Sequence, residues 1–132
     1  NYLIELLESI QNQAARFICS EYDTRVSVSA IKSSISLDSL AQRRKTAWLA
    51  LFYNLYYHRP DLRTSLLVPP VRTSRWLFNS VSVQCITGSR NAFNKSFLPL
   101  AIEEWNSLLE SIVHERVSSI FRRLVSAHFS KL

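Results

Sequence analysis

Gly88 is the one glycine in a chain of 132 residues. Tight hairpin turns need residues at positive φ, and glycine meets that need without a steric penalty. A sheet of short hairpins is therefore a poor fit, and the composition favours helices. The length suits one domain with room for a core that needs neither disulfides nor metal. With 47% apolar and 20% charged residues the chain belongs with globular proteins rather than disordered ones. It contains no methionine, which points to a piece of a longer product.

Helical spacing recurs along the chain. Leu3, Leu7, Ile10, Ala14 and Phe17 predict a helix over 3–18, with Glu5 and Glu8 near its start and Arg16 near its end, as the helix dipole favours. After a break at 20–25, Ser27 is placed to cap a short helix carrying Val28, Ile31 and Ile35. A long helix over 37–57 follows, with Ser36 as its N-cap and Ile35 and Leu40 as a hydrophobic staple. Its expected core stripe is Leu40, Ala47, Leu51, Phe52 and Leu55. The run "AWLALFYNLYY" is apolar nearly all round, which places this helix at the centre of the fold. Pro60 closes it.

Residues 62–95 differ. Pro69, Pro70 and Gly88 break the chain, and "WLFNSVSVQCI" between them reads as an extended strand or hairpin-like segment. A fourth helix spans 96–113, with Ser96 near its cap and Pro99 in its first turn. Leu98, Ile102, Trp105, Leu109 and Ile112 share one of its faces. A fifth runs over 118–129, with Ile120, Phe121, Leu124 and Phe129 apolar. The expected fold is mainly α: a compact bundle of about five helices in a single domain over 1–132. A basic extended insertion, 62–95, with room for a short β-hairpin, lies between the central and fourth helices.

Several chemistries lack their residues. Two-cation catalysis needs clustered carboxylates, and Asp23, Asp38 and Asp61 are scattered. His58, His114 and His128 do not combine with Cys19 and Cys85 at zinc-ligand spacing. One glycine cannot make a phosphate loop, and no serine sits in a nucleophile motif. No catalytic residue, metal ligand or cofactor is therefore expected. The two distant cysteines are no disulfide framework and read as buried thiols in a reducing compartment, with a single disulfide left open. No apolar run reaches the roughly 18 residues of a membrane span, and no signal peptide opens the chain.

The formal charge of +6 comes from 16 basic and 10 acidic residues. Its sign favours an anionic partner, nucleic acid or an anionic membrane surface. From Leu62 to Ile102 the chain has no acidic residue, while Arg63, Arg72, Arg75, Arg90 and Lys95 are basic. Arginine suits bidentate phosphate contacts, and the interleaved Trp76, Phe78 and Phe93 could stack on bases of a single strand. The competing reading is a solvated loop whose aromatic residues dock on the core. Arg43, Arg44 and Lys45 are adjacent on one helix and fan around it at about 100° per residue, so at most two face one way. Arg122 and Arg123 on the last helix behave likewise, and a solvated face with salt bridges accounts for each set as well.

Four pieces in order, "LESIQNQAARFI" (7–18), "SVSAI" (27–31), "SLAQRR" (39–44) and "SFLPLAIEEWNSL" (96–108), resemble the C-terminal region of reverse transcriptases of LINE-type, non-LTR retrotransposons. The jockey-like and chicken-repeat-like groups fit best. The likeness spans about residues 7–124, and Ser96-Phe97, Pro99, Ile102 and Trp105-Asn106 carry most of it. It departs at Leu98 for the family's second aromatic residue, at Leu100 for an arginine after the proline, and at Leu108-Leu109 for Leu-Pro. If that arginine touches nucleic acid in the family, this chain has lost the contact.

The resemblance implies a non-catalytic accessory domain beyond an RNA-directed DNA polymerase, near the C-terminal end of a longer polyprotein. It would assist target-primed reverse transcription by binding template RNA, an RNA–DNA hybrid or target DNA. Its expected setting is intracellular, in the nucleus or a cytoplasmic ribonucleoprotein, with no membrane partner. The expected contact residues are Arg72, Arg75, Arg90 and Lys95, with Arg43 and Arg44. Trp105, Phe97, Ile102, Leu51 and Phe52 are the expected core. The alternative is a structural module that packs on the upstream polymerase without touching nucleic acid.

Overall fold

A computed structural model describes residues 2–71 and 79–130. The chain is mainly helical, with eight helices and no strand among the described residues. They are α1 (Tyr2–Cys19), α2 (Val28–Ser34), α3 (Leu40–His58), α4 (Pro60–Leu66), α5 (Asn91–Asn94), α6 (Phe97–Ser107), α7 (Glu110–Val113) and α8 (Ser118–Ser130). Contacts group them into two compact units, Asn1–Arg43 and Arg44–Leu132.

In the first unit, scarce glycine leaves a mark at the helix ends. Ser20 and Ser36 take positive φ, 53° and 52°. After α1, Glu21 N–H bonds Arg16 O and Ser20 N–H bonds Phe17 O. After α2, Leu37 N–H bonds Lys32 O and Ser36 N–H bonds Ser33 O. Both are Schellman turns, and serine fills the left-handed position that glycine usually takes. Ser36 therefore ends α2 rather than capping the long helix. The cap of α3 is Ser39, whose Oγ accepts Gln42 N–H at 3.2 Å. Ser27 does stand at the N-cap of α2, without a side-chain cap bond.

The face of α1 turned inward is not the expected one. Gln11 and Ala15 are buried, while Leu3, Leu7, Ile10 and Phe17 are exposed. The buried side is built from polar ties. Gln11 Nε2 donates to Asp38 O, Glu8 binds Lys32 Nζ at 3.1 Å and Leu40 N–H at 3.2 Å, and Arg16 donates to the carbonyls of Asp23 and Val26. Satisfying loop carbonyls around α2 sets the orientation of α1 here, rather than its apolar stripe.

The second unit has the aromatic core. α3 buries Leu49, Ala50, Phe52, Tyr53 and Tyr56. Leu51, expected inside, is 54% exposed, and Ala47 is exposed too. The stripe turns towards the larger aromatic surfaces, which bury more area per residue. Tyr53 stacks on Phe121 at 4.5 Å between ring centroids, and Phe52 and Tyr56 lie 5.1 and 5.3 Å from Trp105. Trp105, Ile102 and Phe52 are fully buried as expected, and Phe97 packs on this core half-buried.

Two corrections follow from backbone accounting. Residues 62–95 are helical near both ends, in α4 and α5. Pro60 at the first helical turn and Asp61 just after it are the start signals of α4. The helix expected over 96–113 breaks at Leu108. This moves Leu108 inside and leaves Leu109 53% exposed. Both cysteines are free and exposed rather than buried. Among the described residues, no helix is long and apolar enough to cross a membrane.

Candidate nucleic-acid interface

The segment 79–86 is held by the end of α6. Asn79 is buried, and its Nδ2 lies 2.9, 3.4 and 3.2 Å from the carbonyl oxygens of Trp105, Asn106 and Leu108. Trp105 O also takes Leu108 N–H at 3.2 Å, and the amide adds a side-chain donor to carbonyls at the end of α6, where intrahelical partners run out. Asn106 works in return. Its Oδ1 accepts Val83 N–H at 2.8 Å and its Nδ2 donates to Val83 O at 2.7 Å. Trp105 Nε1 donates to Val81 O at 3.1 Å. These bonds use the backbone groups that a partner strand would need. Pro69 and Pro70 cannot donate, and among the described residues the Gln84 N–H to Val68 O bond at 2.9 Å is not extended into a strand pair. Part of the expected hairpin also lies outside the described residues.

From this support the chain emerges into a knuckle. Asn94 closes it, with Oδ1 accepting Gly88 N–H at 2.7 Å and Nδ2 donating to Gly88 O at 2.9 Å. A Cβ at Gly88 would stand 2.7 Å from Phe93 Cδ1, so the ring packs against the glycine. Arg90 and Lys95 flank the single turn of α5, and Phe93 between them is 45% exposed. Both cations are exposed and meet no carboxylate among the described residues. The sequence reading counted both among the basic residues of the acid-free stretch, with Phe93 as one of its interleaved aromatic residues, and in the fold they stand at the two ends of α5.

The other expected contacts fare differently. Arg72 and Arg75, with Trp76 and Phe78, lie outside the described residues. Arg43 and Arg44 are exposed on α3, the first closing one unit and the second opening the other. Lys45 is engaged by Glu104 at 2.6 Å and lies over the Phe129 ring. Arg122 and Arg123 are exposed on α8. Sequence reasoning overlooked Arg116 and gave Arg63 no role of its own. Their guanidinium carbons sit 3.9 Å over Tyr56 and 4.5 Å over Tyr57. The signal was the Tyr56-Tyr57 pair, which one sequence cannot match to arginines at such separations.

One constellation resembles hydrolytic machinery without its geometry. Ser80 Oγ lies 2.5 Å from Glu110 Oε1 and 2.9 Å from His114 Nε2, and His114 Nε2 lies 2.8 Å from Glu110 Oε1. A relay needs the two imidazole nitrogens to face different partners, whereas here Nε2 meets both. The bonds from Ser80, by side chain and backbone, and then His114 hold the Glu110 carboxyl below its ordinary value. Among the described residues, no three His, Cys, Asp or Glu side chains gather as a metal site would require.

The residues carrying the family likeness have structural work. Glu8, Gln11 and Arg16 tie loops, Ser39 caps α3, and Trp105 and Asn106 clamp 81–83. Searches against protein-family models, curated proteins and solved structures found no match to this chain.

Proposed function

We propose that this chain is a non-catalytic accessory domain of a non-LTR retrotransposon reverse transcriptase that helps hold nucleic acid during target-primed reverse transcription. The observation that carries the reading is the segregation of charge. Residues 44–132 have twelve Lys or Arg against five Asp or Glu, while residues 1–43 have four against five. All the excess positive charge therefore belongs to the unit with the rigid knuckle. Arg90, Lys95, Arg122 and Arg123 have no carboxylate partner there among the described residues. Cations held out without partners are what a phosphate backbone releases counterions to meet. The setting would be the nucleus or a cytoplasmic ribonucleoprotein, with RNA, an RNA–DNA hybrid or target DNA as ligand.

The test is fluorescence anisotropy with labelled single-stranded RNA, duplex DNA and RNA–DNA hybrid across a salt series. Micromolar binding with a steep salt slope is expected, and R90A/K95A should lower that slope by about two units, one per phosphate contact. An unchanged slope would remove the knuckle from the interface. Absence of binding at low salt would overturn the reading.

The exposed apolar face of α1, with Leu3 at 66%, Leu7 at 54%, Ile10 at 56% and Phe17 at 73%, favours a second reading. Such a face is characteristic of a protein-binding surface, and the upstream polymerase is the partner the family likeness implies. Aggregation of the isolated chain, relieved by the polymerase, would support that reading.

A further inference from the structure

We propose that Arg63 and Arg116 form a separate phosphate clamp, built on the Tyr56–Tyr57 pair and able to take two phosphates of one nucleic-acid strand. The phosphate chemistry follows from the geometry, and the choice of a nucleic-acid strand rests on the function proposed above. Arg63 comes from α4 and Arg116 from the connection between α7 and α8, so the fold alone brings them together.

The platform is fixed before any ligand arrives. Tyr56 is 8% exposed and its ring leans on Trp105. Tyr57 OH donates to Val113 O at 2.6 Å, and the two tyrosine rings meet edge to face at 5.0 Å. Arg63 lies over Tyr56 and also donates from Nη2 to its hydroxyl at 3.0 Å. Arg116 lies over Tyr57. Three successive distances, 3.9, 5.0 and 4.5 Å, join the two guanidinium carbons, so their separation cannot exceed about 13 Å. Phosphate charges on one strand recur every ~3.4 Å of duplex axis, so two fall within that span. Burial holds the Tyr57 phenol above its ordinary value, against the opposing charges of Arg116 and Arg63.

Neither arginine is neutralised by a carboxylate among the described residues. Asp61 pairs with Arg59 at 3.0 Å, and Glu115 accepts Val117 N–H at 2.8 Å. A guanidinium stacked on a ring keeps in-plane N–H groups for a phosphate. Holding the side chain in advance lowers the ordering cost of binding. Lysine has the charge but neither the plane nor the fork.

The decisive experiment follows the Arg Nε–H resonances of the whole chain while inorganic tripolyphosphate, and then single-stranded RNA, is added. The Arg63 and Arg116 signals, assigned with R63K and R116K, should shift with both ligands. R63K/R116K should weaken RNA binding by about tenfold at unchanged formal charge, the loss of two stacked contacts. RNA binding that moves neither resonance and tolerates both lysines overturns the clamp while leaving the nucleic-acid reading intact. Shifts with tripolyphosphate but no RNA binding keep the phosphate site and remove the nucleic-acid reading. No shift with either ligand overturns the clamp outright.

Discussion

Replacing Asn106 by alanine should cost the second unit roughly 2–5 kcal/mol, because it orphans two buried backbone groups. The carboxamide pairs with Val83 N–H at 2.8 Å and with Val83 O at 2.7 Å. Asn106 is 7% exposed and Val83 3%, so water cannot replace the lost partner without opening the site. An unsatisfied buried group costs about 1–3 kcal/mol, and two are stranded here. The whole stability of a domain is about 5–15 kcal/mol. A unit of this size loses about 4–8 °C of melting temperature per kcal/mol, so a fall of about eight degrees or more is expected by circular dichroism.

Asn106→Asp sharpens the test. Its carboxylate keeps the acceptor for Val83 N–H but sets an oxygen against Val83 O. Burial and that carbonyl raise the folded carboxyl above the ordinary Asp value of about 3.9. A raised folded pKa means the stabilising form is fully present below the unfolded value and is lost as pH rises through the folded one. Asn106→Asp should therefore be weakest at neutral pH and recover towards pH 4, where the protonated acid donates. A fall in melting temperature under about 3 °C for Asn106→Ala, or no recovery of Asn106→Asp in acid, would refute this role of the Asn106–Val83 pairing.

Other expectations follow from single groups. Ser36→Gly should stabilise the first unit by about 0.5 kcal/mol in urea unfolding, since Ser36 sits at φ 52° where a Cβ is disfavoured; a loss of stability would refute this. Tyr53→Phe should be close to neutral in the same assay, because the Tyr53 hydroxyl is buried without a partner among the described residues. Gly88→Ala should cost little stability, since the half-exposed Phe93 ring can swing away, yet it should weaken RNA binding by disturbing the knuckle. The tie between Ser80 and Glu110 should loosen in acid. A lowered carboxyl pKa contributes above the unfolded value and is lost as pH falls through the folded one. The Ser80 amide shift should then titrate below the ordinary Glu value of about 4.3, and not in Glu110→Gln.

Local signals made the helices legible. Ser27 and Ser96 mark real helix starts, and the apolar spacing located α1, α3, α6 and α8, while Pro60, read as the end of α3, also opens α4. Spacing also identified Trp105 and Ile102 as core. Which face turns inward was less legible. Leu51 and Phe52 are neighbours of similar hydropathy, and only the position of Trp105 decides that Phe52 goes in.

By itself, the sequence determined the helical class, because one glycine leaves few hairpin turns, and because periodicity and capping act within a few residues. Tertiary structure alone decided the rest. Asn79 binds the end of α6 across 26 residues, Asn106 occupies the backbone of Val83 across 23, and Arg116 finds Tyr57 from another element. Such pairings depend on chain closure, and their energies are set by burial, which one residue's spacing to its neighbours does not encode.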